Sequence, residues 1–291
     1  MRLAPALPAV LAILLASTPV RAAGDGPLKP FKDELFSAQT VLETRDGGDY
    51  EVIDYQEMRD INGRDEEPEH RVRRAYVDLK PRKVQADERL SLPSGPLDVT
   101  RVGKAEGAAF TVIFIHGRDG DRRLGSNDYR FGGNFNRLKN LAAENGGVYY
   151  APTIRSFDSR GVQQVSDLIA ATRQASGGHP VLLSCASMGS FLCWGITREE
   201  GAVANLSGML IMGGAPDPDF LKSAYRKAGL PVWFTHGSAD KVYSWKDQAA
   251  IYDTLHAAKY PVRFTLFNTG SHGTPVRMTD WRRVLNWLLA R

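Results

Sequence analysis

One segment of the chain places a serine between small residues, directly after an apolar run. Ser187 lies between Ala186 and Met188, and Gly189 follows two positions later. A serine on a tight turn from strand to helix is held exposed in a strained conformation, and the turn needs small neighbours so that strand and helix can approach each other. Ala186 and Gly189 meet that need, and Cys185 is small enough to be tolerated. The segment therefore predicts a serine nucleophile.

Other apolar runs are followed by histidine, glycine and aspartate. The segments are His116 to Arg118 after residues 110–115, His236 to Asp240 after residues 232–235, and Gly270 to Gly273, with His272, after residues 262–267. A serine hydroxyl is a weak nucleophile at neutral pH, so an imidazole must accept its proton and a carboxylate must orient that imidazole. The chain supplies these residue types in separate segments.

The elements that must position these residues alternate along the chain. Short apolar runs predict strands at 110–115, 147–151, 181–184, 208–212, 232–235 and 262–267, and helices are predicted at 134–144, 161–174, 188–197, 218–228, 244–258 and 278–289. Such alternation is typical of an α/β fold, a doubly wound, mostly parallel sheet with helices on both faces. Functional groups of such sheets collect at the carboxyl ends of the strands. The reactive segments are therefore expected along one edge of the sheet.

The order Ser187, Asp240, His272 along the chain resembles that of the α/β-hydrolase superfamily, from about residue 97 to the C-terminus. Cys185 stands where that family most often has glycine. Among its members, the chain is most similar to the small-lidded carboxylesterase and dienelactone-hydrolase-like groups. The resemblance implies that Ser187 is the nucleophile, His272 its base and Asp240 the acid. Asp217, after the strand predicted at 208–212, is the alternative acid, and Asp240 is favoured over it.

The resemblance also implies where the oxyanion of the reaction is stabilised. The backbone N–H of Met188 and that of Gly117 or Arg118 are the expected donors. No metal or cofactor is expected. Structural roles are expected for the remaining serines and histidines near these segments, which are Ser184, Ser190, His116, His179, His236 and His256.

The first 22 residues predict a secretory signal peptide. Arg2 precedes an apolar run at residues 3–16, and small residues surround the expected cleavage site after Ala22. The run is shorter than the roughly 20 residues of a membrane-spanning helix. A periplasmic or secreted protein without stable membrane insertion is expected, with a lead-in at residues 23–96 and a catalytic domain at 97–291. The lead-in and its boundary are predicted to form antiparallel edge strands at 50–54, 75–79 and 97–102.

The net charge of the chain argues against a nucleic-acid partner. The formal net charge is +4, and removal of the two arginines among the first 22 residues lowers it to +2, which is too small to indicate a nucleic-acid partner. The two cysteines, Cys185 and Cys193, flank the predicted turn at the serine. Because the helix after the turn is expected to place Cys193 away from Cys185, two buried free thiols are predicted.

The expected activity is hydrolysis of carboxylic esters (EC 3.1.1) through an acyl-enzyme on Ser187. Only a short segment follows the strand predicted at 208–212, so no large lid is expected, and the favoured substrate is a small-molecule or polymer-borne ester. Arg130 and Arg155 are candidates for recognition of an anionic or polyhydroxylated substrate; the alternative is that the arginines of this region pair with nearby aspartates. A serine peptidase or amidase and a catalytically silent binding protein remain alternatives, and the sequence does not indicate an oligomeric state.

Overall fold

A central sheet of ten strands organises the molecule. The computed structural model describes residues 26–67 and 69–290. The strands in this part of the chain are β1 (Val41–Arg45), β2 (Tyr50–Asp54), β3 (Asp65–Glu66), β4 (Arg71–Val72), β5 (Gln85–Leu92), β6 (Gly95–Val102), β7 (Thr111–Ile115), β8 (Val148–Pro152), β9 (Val181–Ala186), β10 (Gly208–Met212), β11 (Val232–Gly237) and β12 (Val262–Asn268). The strand order in the large sheet is β1-β2-β12-β11-β10-β9-β7-β8-β6-β5, and β3 pairs with β4 alone.

The pairing from β2 through β12, β11, β10, β9 and β7 to β8 is parallel throughout. β1 pairs with β2 in antiparallel orientation, as does β6 with β8 and β5 with β6. The central strands are buried along their whole length, because helices cover both faces of the sheet. The predicted fold class, a doubly wound and mostly parallel sheet, is confirmed.

α-Helices lie before, between and after the strands of the large sheet. They are α1 (Asp33–Phe36), α2 (Arg122–Ser126), α3 (Asn134–Glu144), α4 (Ser159–Ala175), α5 (Ser190–Ile196), α6 (Glu200–Val203), α7 (Ala224–Lys227), α8 (Trp245–Ala257), α9 (Thr274–Met278) and α10 (Trp281–Leu289). Short 3-10 helices lie at Asp46–Gly48, Arg74–Tyr76, Lys80–Val84, Phe131–Gly133, Ser187–Gly189 and Pro218–Lys222, and a π-helix lies at Met58–Asn62.

The six strands predicted after residue 109 are all present, with ends within two residues of the prediction, and α3 has the predicted bounds. The helix predicted at 218–228 is instead a 3-10 helix followed by α7. Ser223 ends the first and caps the second by accepting a hydrogen bond from the N–H of Arg226. The helix predicted at 278–289 begins at Trp281, with Asp280 as its N-cap.

The residues before 97 contribute strands to both ends of the large sheet. β2 has the predicted bounds, but it is not the antiparallel edge strand that was predicted: it pairs in parallel with β12, and β1 forms the edge. The strand predicted at 75–79 is wrong, because Arg74–Tyr76 is a 3-10 helix in which Tyr76 packs edge-on against Phe36. β5 was not predicted from the sequence; it pairs along its whole length with β6 and forms the opposite edge.

No helix among residues 26–67 and 69–290 is long and apolar enough to cross a membrane. The predicted signal peptide and its cleavage site lie outside the described residues.

Candidate active site

Ser187 lies at the turn that connects β9 to α5. Its φ is 52°, in the left-handed region that a residue with a side chain seldom adopts. The 3-10 helix Ser187–Gly189 begins directly after the last strand residue. A Cβ on Gly189 would lie 2.6 Å from the carbonyl oxygen of His116, so only glycine allows the helix to approach β7 this closely. The backbone therefore places the serine side chain above the end of the sheet, as the sequence predicted.

The two cysteines that flank this turn form a disulfide, so the prediction of two free thiols is wrong. The Cα atoms of Cys185 and Cys193 are 6.3 Å apart. After the turn, α5 packs back over β9, and both cysteines belong to the core cluster on that face of the sheet, together with Leu183 and Leu192. The helix therefore returns Cys193 to the strand instead of carrying it away, and the disulfide ties together the two elements that hold Ser187.

His272 lies between Ser187 and Asp240. Its Nε2 is 2.7 Å from Oγ of Ser187, and its Nδ1 is 2.8 Å from Oδ2 of Asp240. The imidazole is partly exposed, whereas the carboxylate is fully buried. With Nδ1 donating its proton to the carboxylate, Nε2 carries a lone pair that can accept the serine proton. The geometry thus joins the three residues in the order expected of a nucleophile, its base and its acid.

The carboxylate of Asp240 is surrounded by N–H donors. The backbone N–H groups of Val242 and Tyr243 donate to Oδ1 over 2.7 and 3.2 Å. On the other side, Nδ1 of His272 and Nε2 of His236 lie 2.8 and 3.2 Å from Oδ2. Burial raises the pKa of Asp240, but the hydrogen bonds from the two histidines and the two amides outweigh it and hold this pKa well below its ordinary value. The acid is therefore ionised at neutral pH.

The contact between His236 and Asp240 was not predicted from the sequence, which indicated only a structural role for that histidine. The imidazole of His236 is buried, and its Nε2 also lies 3.2 Å from the carbonyl oxygen of Tyr243. The spacing of four residues between His236 and Asp240 is the signal that could have indicated it, since His236 lies near the end of β11 and Asp240 in the turn that follows.

His116, by contrast, holds the loop that follows β7. Its Nδ1 donates to the carbonyl of Gly117 over 2.8 Å, and its Nε2 accepts from the N–H of Ile154 over 3.1 Å. Burial lowers the pKa of His116, so the ring is neutral at pH 7. It is a structural residue, as the sequence indicated.

Asp217, the alternative acid, lies apart from His272. Its carboxylate accepts a hydrogen bond from Arg198 over 2.7 Å and caps the 3-10 helix that starts at Pro218. The two serines near the nucleophile are also engaged elsewhere: Ser184 donates to the carbonyl of Ile113, and Ser190 accepts from the N–H of Ala215.

The loop after β7 passes directly beside the serine. A Cβ on Gly117 would lie 2.9 Å from Cβ and 3.2 Å from Oγ of Ser187, so the backbone at 117 touches the nucleophile. Met188 is in the first turn after the serine. Arg118 is exposed. Burial raises the pKa of the Tyr243 phenol, and the positive charge of Arg118 opposes that rise.

The arginines that were considered for substrate binding are exposed. Arg155 follows Ile154 at the end of β8, and Arg130 lies in the turn before the 3-10 helix Phe131–Gly133. None of the contacts described for residues 26–67 and 69–290 joins either side chain to Ser187, His272 or Asp240. The alternative, pairing of these arginines with nearby aspartates, holds for Arg123 and Asp121, while Arg122 pairs with Asp87, and Asp128 with Arg82 and Lys139. Within the part of the chain that the structure describes, no ion pair joins Arg130 or Arg155 to an aspartate. Within the same residue ranges, no group of three or more histidine, cysteine or acidic side chains could hold a metal ion.

Several solved structures share this fold. A candidate alpha/beta hydrolase of unknown function from Agrobacterium tumefaciens aligns with a TM-score of 0.55 and 15% identity, over 71% of this chain and 95% of that one. An esterase from Pyrococcus furiosus aligns with a TM-score of 0.54 and 12% identity, over 74% and 94% of the two chains. A dienelactone hydrolase from Anabaena variabilis aligns with a TM-score of 0.53 and 15% identity, over 71% and 97%. The chain has the fold of the α/β hydrolases.

No family model matches the sequence, and no curated protein matches it. At these identities, the solved structures establish the fold alone. The activity has to be argued from the geometry around Ser187.

Proposed function

We propose that this protein is an exported serine esterase that forms an acyl-enzyme on Ser187. The observation that supports this most directly is the chain of hydrogen bonds from Ser187 through His272 to Asp240, at 2.7 and 2.8 Å. The solved structures that share the fold include an esterase and a dienelactone hydrolase, which supports hydrolysis of an ester bond.

The first half of the reaction forms the acyl-enzyme. Oγ of Ser187 attacks the ester carbonyl carbon while its proton passes to Nε2 of His272. The imidazolium is stabilised by the buried carboxylate of Asp240. The negative charge on the former carbonyl oxygen is stabilised by the N–H groups of Met188 and of Gly117 or Arg118. Collapse of this intermediate breaks the bond to the alcohol oxygen, which takes the proton from His272.

The second half releases the acid. A water molecule gives a proton to Nε2 of His272 as it attacks the acyl carbon, and the bond to Oγ of Ser187 then breaks. Oγ recovers the proton from His272, and the carboxylic acid leaves. The base and the oxyanion donors thus serve both halves, and no metal or cofactor takes part.

Export is supported by the disulfide between Cys185 and Cys193, because disulfides persist in oxidising compartments and are rare in the cytosol. It agrees with the signal peptide expected at residues 1–22. Expression of the full chain, cell fractionation and N-terminal sequencing test it. A periplasmic or extracellular protein that begins at Ala23 is expected, and a cytosolic protein that retains Met1 would contradict export.

The esterase proposal is tested by labelling with a fluorophosphonate, which reacts with activated serines. Wild type and Ser91→Ala, which removes an exposed serine on edge strand β5, should be labelled, whereas Ser187→Ala should not. Labelling that persists in Ser187→Ala would contradict the assignment of the nucleophile. The absence of labelling in folded wild type would indicate a silent binding protein.

Turnover distinguishes the remaining alternatives. Wild type is expected to hydrolyse p-nitrophenyl acetate with a burst of p-nitrophenol, and Ser187→Ala to lose the burst and the steady-state rate. A parallel set of p-nitroanilides with the same acyl groups should turn over much more slowly. Faster hydrolysis of the anilides would favour a peptidase or amidase.

A further inference from the structure

Three exposed or half-exposed apolar side chains lie beside the triad and form what we call the aromatic shelf: Phe191, Val242 and Tyr243. Phe191 and Val242 expose 42% and 58% of their surface, which is unusual for large apolar residues. The rings of Phe191 and Tyr243 meet edge to face, with centroids 6.3 Å apart. The ring of Tyr243 in turn meets the imidazole of His272 with centroids 5.6 Å apart. The shelf is therefore continuous with the base.

The shelf is also held by the triad itself. Phe191 lies four residues after Ser187, on the first turn of α5. The N–H groups of Val242 and Tyr243 both donate to Oδ1 of Asp240. One side of the shelf is thus fixed to the helix behind the nucleophile, and the other side is fixed to the acid. An apolar surface that is exposed and rigidly placed at a reactive centre has the properties of a substrate subsite.

The chemistry indicates which part of the substrate would lie there. His272 must deliver its proton to the alcohol oxygen, so that oxygen comes within hydrogen-bonding distance of Nε2. The oxyanion donors beside Gly117 and Met188 fix the former carbonyl oxygen at a different position. The group bonded to the alcohol oxygen therefore extends from the imidazole, and the ring of Tyr243 contacts that imidazole.

We propose that the aromatic shelf binds the alcohol part of the substrate, and that this part carries a flat aromatic ring close to the ester oxygen. A flat ring that lies across the exposed surface of the shelf can contact both Phe191 and Tyr243, which already meet edge to face. The inference rests on the proposed esterase function and specifies its substrate class.

The test compares acetate esters whose alcohols have similar acidity but different shapes, so that leaving-group chemistry does not determine the outcome. The esters are benzyl acetate, cyclohexylmethyl acetate and ethyl acetate. We expect kcat/KM for benzyl acetate to exceed that for ethyl acetate about tenfold, since contact with two aromatic rings adds to the burial of apolar surface. Cyclohexylmethyl acetate, which has similar size but no aromatic ring, should lie between them.

Variants of Phe191 then locate the preference. Phe191→Ala and Phe191→Leu should both reduce the benzyl-to-ethyl ratio about threefold or more, because each lacks the ring. Leu42→Ala, which shortens another exposed apolar side chain, on edge strand β1, should keep the wild-type ratio. Rates are normalised to the fraction of protein that the fluorophosphonate labels, so that loss of folded protein does not mimic a loss of preference.

Any of three results would overturn the inference while leaving the esterase proposal intact. The first is equal kcat/KM for the benzyl and ethyl esters in an enzyme that is labelled and active. The second is a benzyl preference that survives in Phe191→Ala, and the third is a benzyl preference that cyclohexylmethyl acetate matches in wild type. Failure of the esterase proposal looks different, since none of the esters, p-nitrophenyl acetate included, would then be hydrolysed.

Discussion

Replacing Asp240 by asparagine tests the triad by a single exchange of oxygen for nitrogen. The carboxylate faces N–H donors on both sides, with two backbone amides at Oδ1 and two histidines at Oδ2. Asparagine has only one oxygen, so its NH2 group must face donors on one of the two sides. With the oxygen kept at the backbone amides, the NH2 group meets Nδ1 of His272. That nitrogen can then only accept a hydrogen bond, and the ring proton moves to Nε2.

That tautomer of His272 presents an N–H to Ser187 and cannot accept the serine proton. We expect kcat for p-nitrophenyl acetate to fall about 10⁴-fold, the loss that the wrong tautomer causes in a triad of this kind. At 1.36 kcal/mol for each factor of ten, this corresponds to a barrier about 5 kcal/mol higher. The side chain is similar in size, so the fold should persist, which far-ultraviolet circular dichroism checks.

Asp217→Asn is the matched control, because it makes the same exchange at the alternative acid. Asp217 pairs with Arg198 at the surface and caps a 3-10 helix, so kcat should stay within about threefold of wild type. Both variants are measured by single-turnover acylation, which separates loss of the chemical step from loss of binding. Retention of more than a tenth of wild-type kcat in Asp240→Asn, or an equal loss in Asp217→Asn, would refute the assignment of the acid.

Other substitutions probe the parts of the structure that hold the triad. Gly117→Ala should lower kcat about 10²-fold, because the new Cβ would lie 2.9 Å from Cβ of Ser187 and displace the nucleophile. Gly201→Ala is the control, because a Cβ at that position would meet nothing within 4 Å, and its kcat should not fall. The acylation rate is measured for both variants. Cys185→Ala/Cys193→Ala should lower the free energy of unfolding in urea by about 2.5 kcal/mol, the value for a loop of this length, and an unchanged midpoint would count against a stabilising disulfide. His236→Phe removes one hydrogen bond that lowers the pKa of Asp240. In the unfolded chain the pKa of an aspartate is about 4, and the lower pKa of Asp240 in the folded protein stabilises the fold above that pH. This stabilisation is lost as the pH falls towards the folded-state pKa. Because the folded-state pKa is higher in the variant, the loss should be complete at a higher pH. Acid unfolding followed by circular dichroism checks that direction, and His179→Phe, on a different loop, serves as the control.

The parts of the fold that follow from local pattern could be predicted from the sequence. The apolar runs of the central strands and the bounds of α3 depend on residues that are neighbours in the chain, and the structure has them where the pattern indicates. The placement of Ser187, Asp240 and His272 at the ends of three strands could also be predicted, because parallel strands align their carboxyl ends.

The features that the sequence did not predict depend on how one element packs against another. The disulfide was missed because it depends on α5 folding back over β9, an angle that composition does not specify. β5 was missed because its polar residues alternate with partly buried ones on an edge strand, where the apolar signal is weak. Where a strand was expected at 75–79, Arg74–Tyr76 form a 3-10 helix, because Tyr76 packs against Phe36 and not on the sheet.

In the proposed function, the segment from His236 to Tyr243 links catalysis and substrate choice through one carboxylate. Oδ2 of Asp240 holds the base, and Oδ1 holds the backbone of the aromatic shelf. A change in the shelf that shifts the backbone at Val242 would therefore disturb the acid and the tautomer of His272. Phe191 lies on a different element and contacts this segment through the ring of Tyr243. We therefore expect substitutions at Phe191 to change specificity more than kcat, whereas substitutions at Val242 and Tyr243 are expected to change kcat and specificity together.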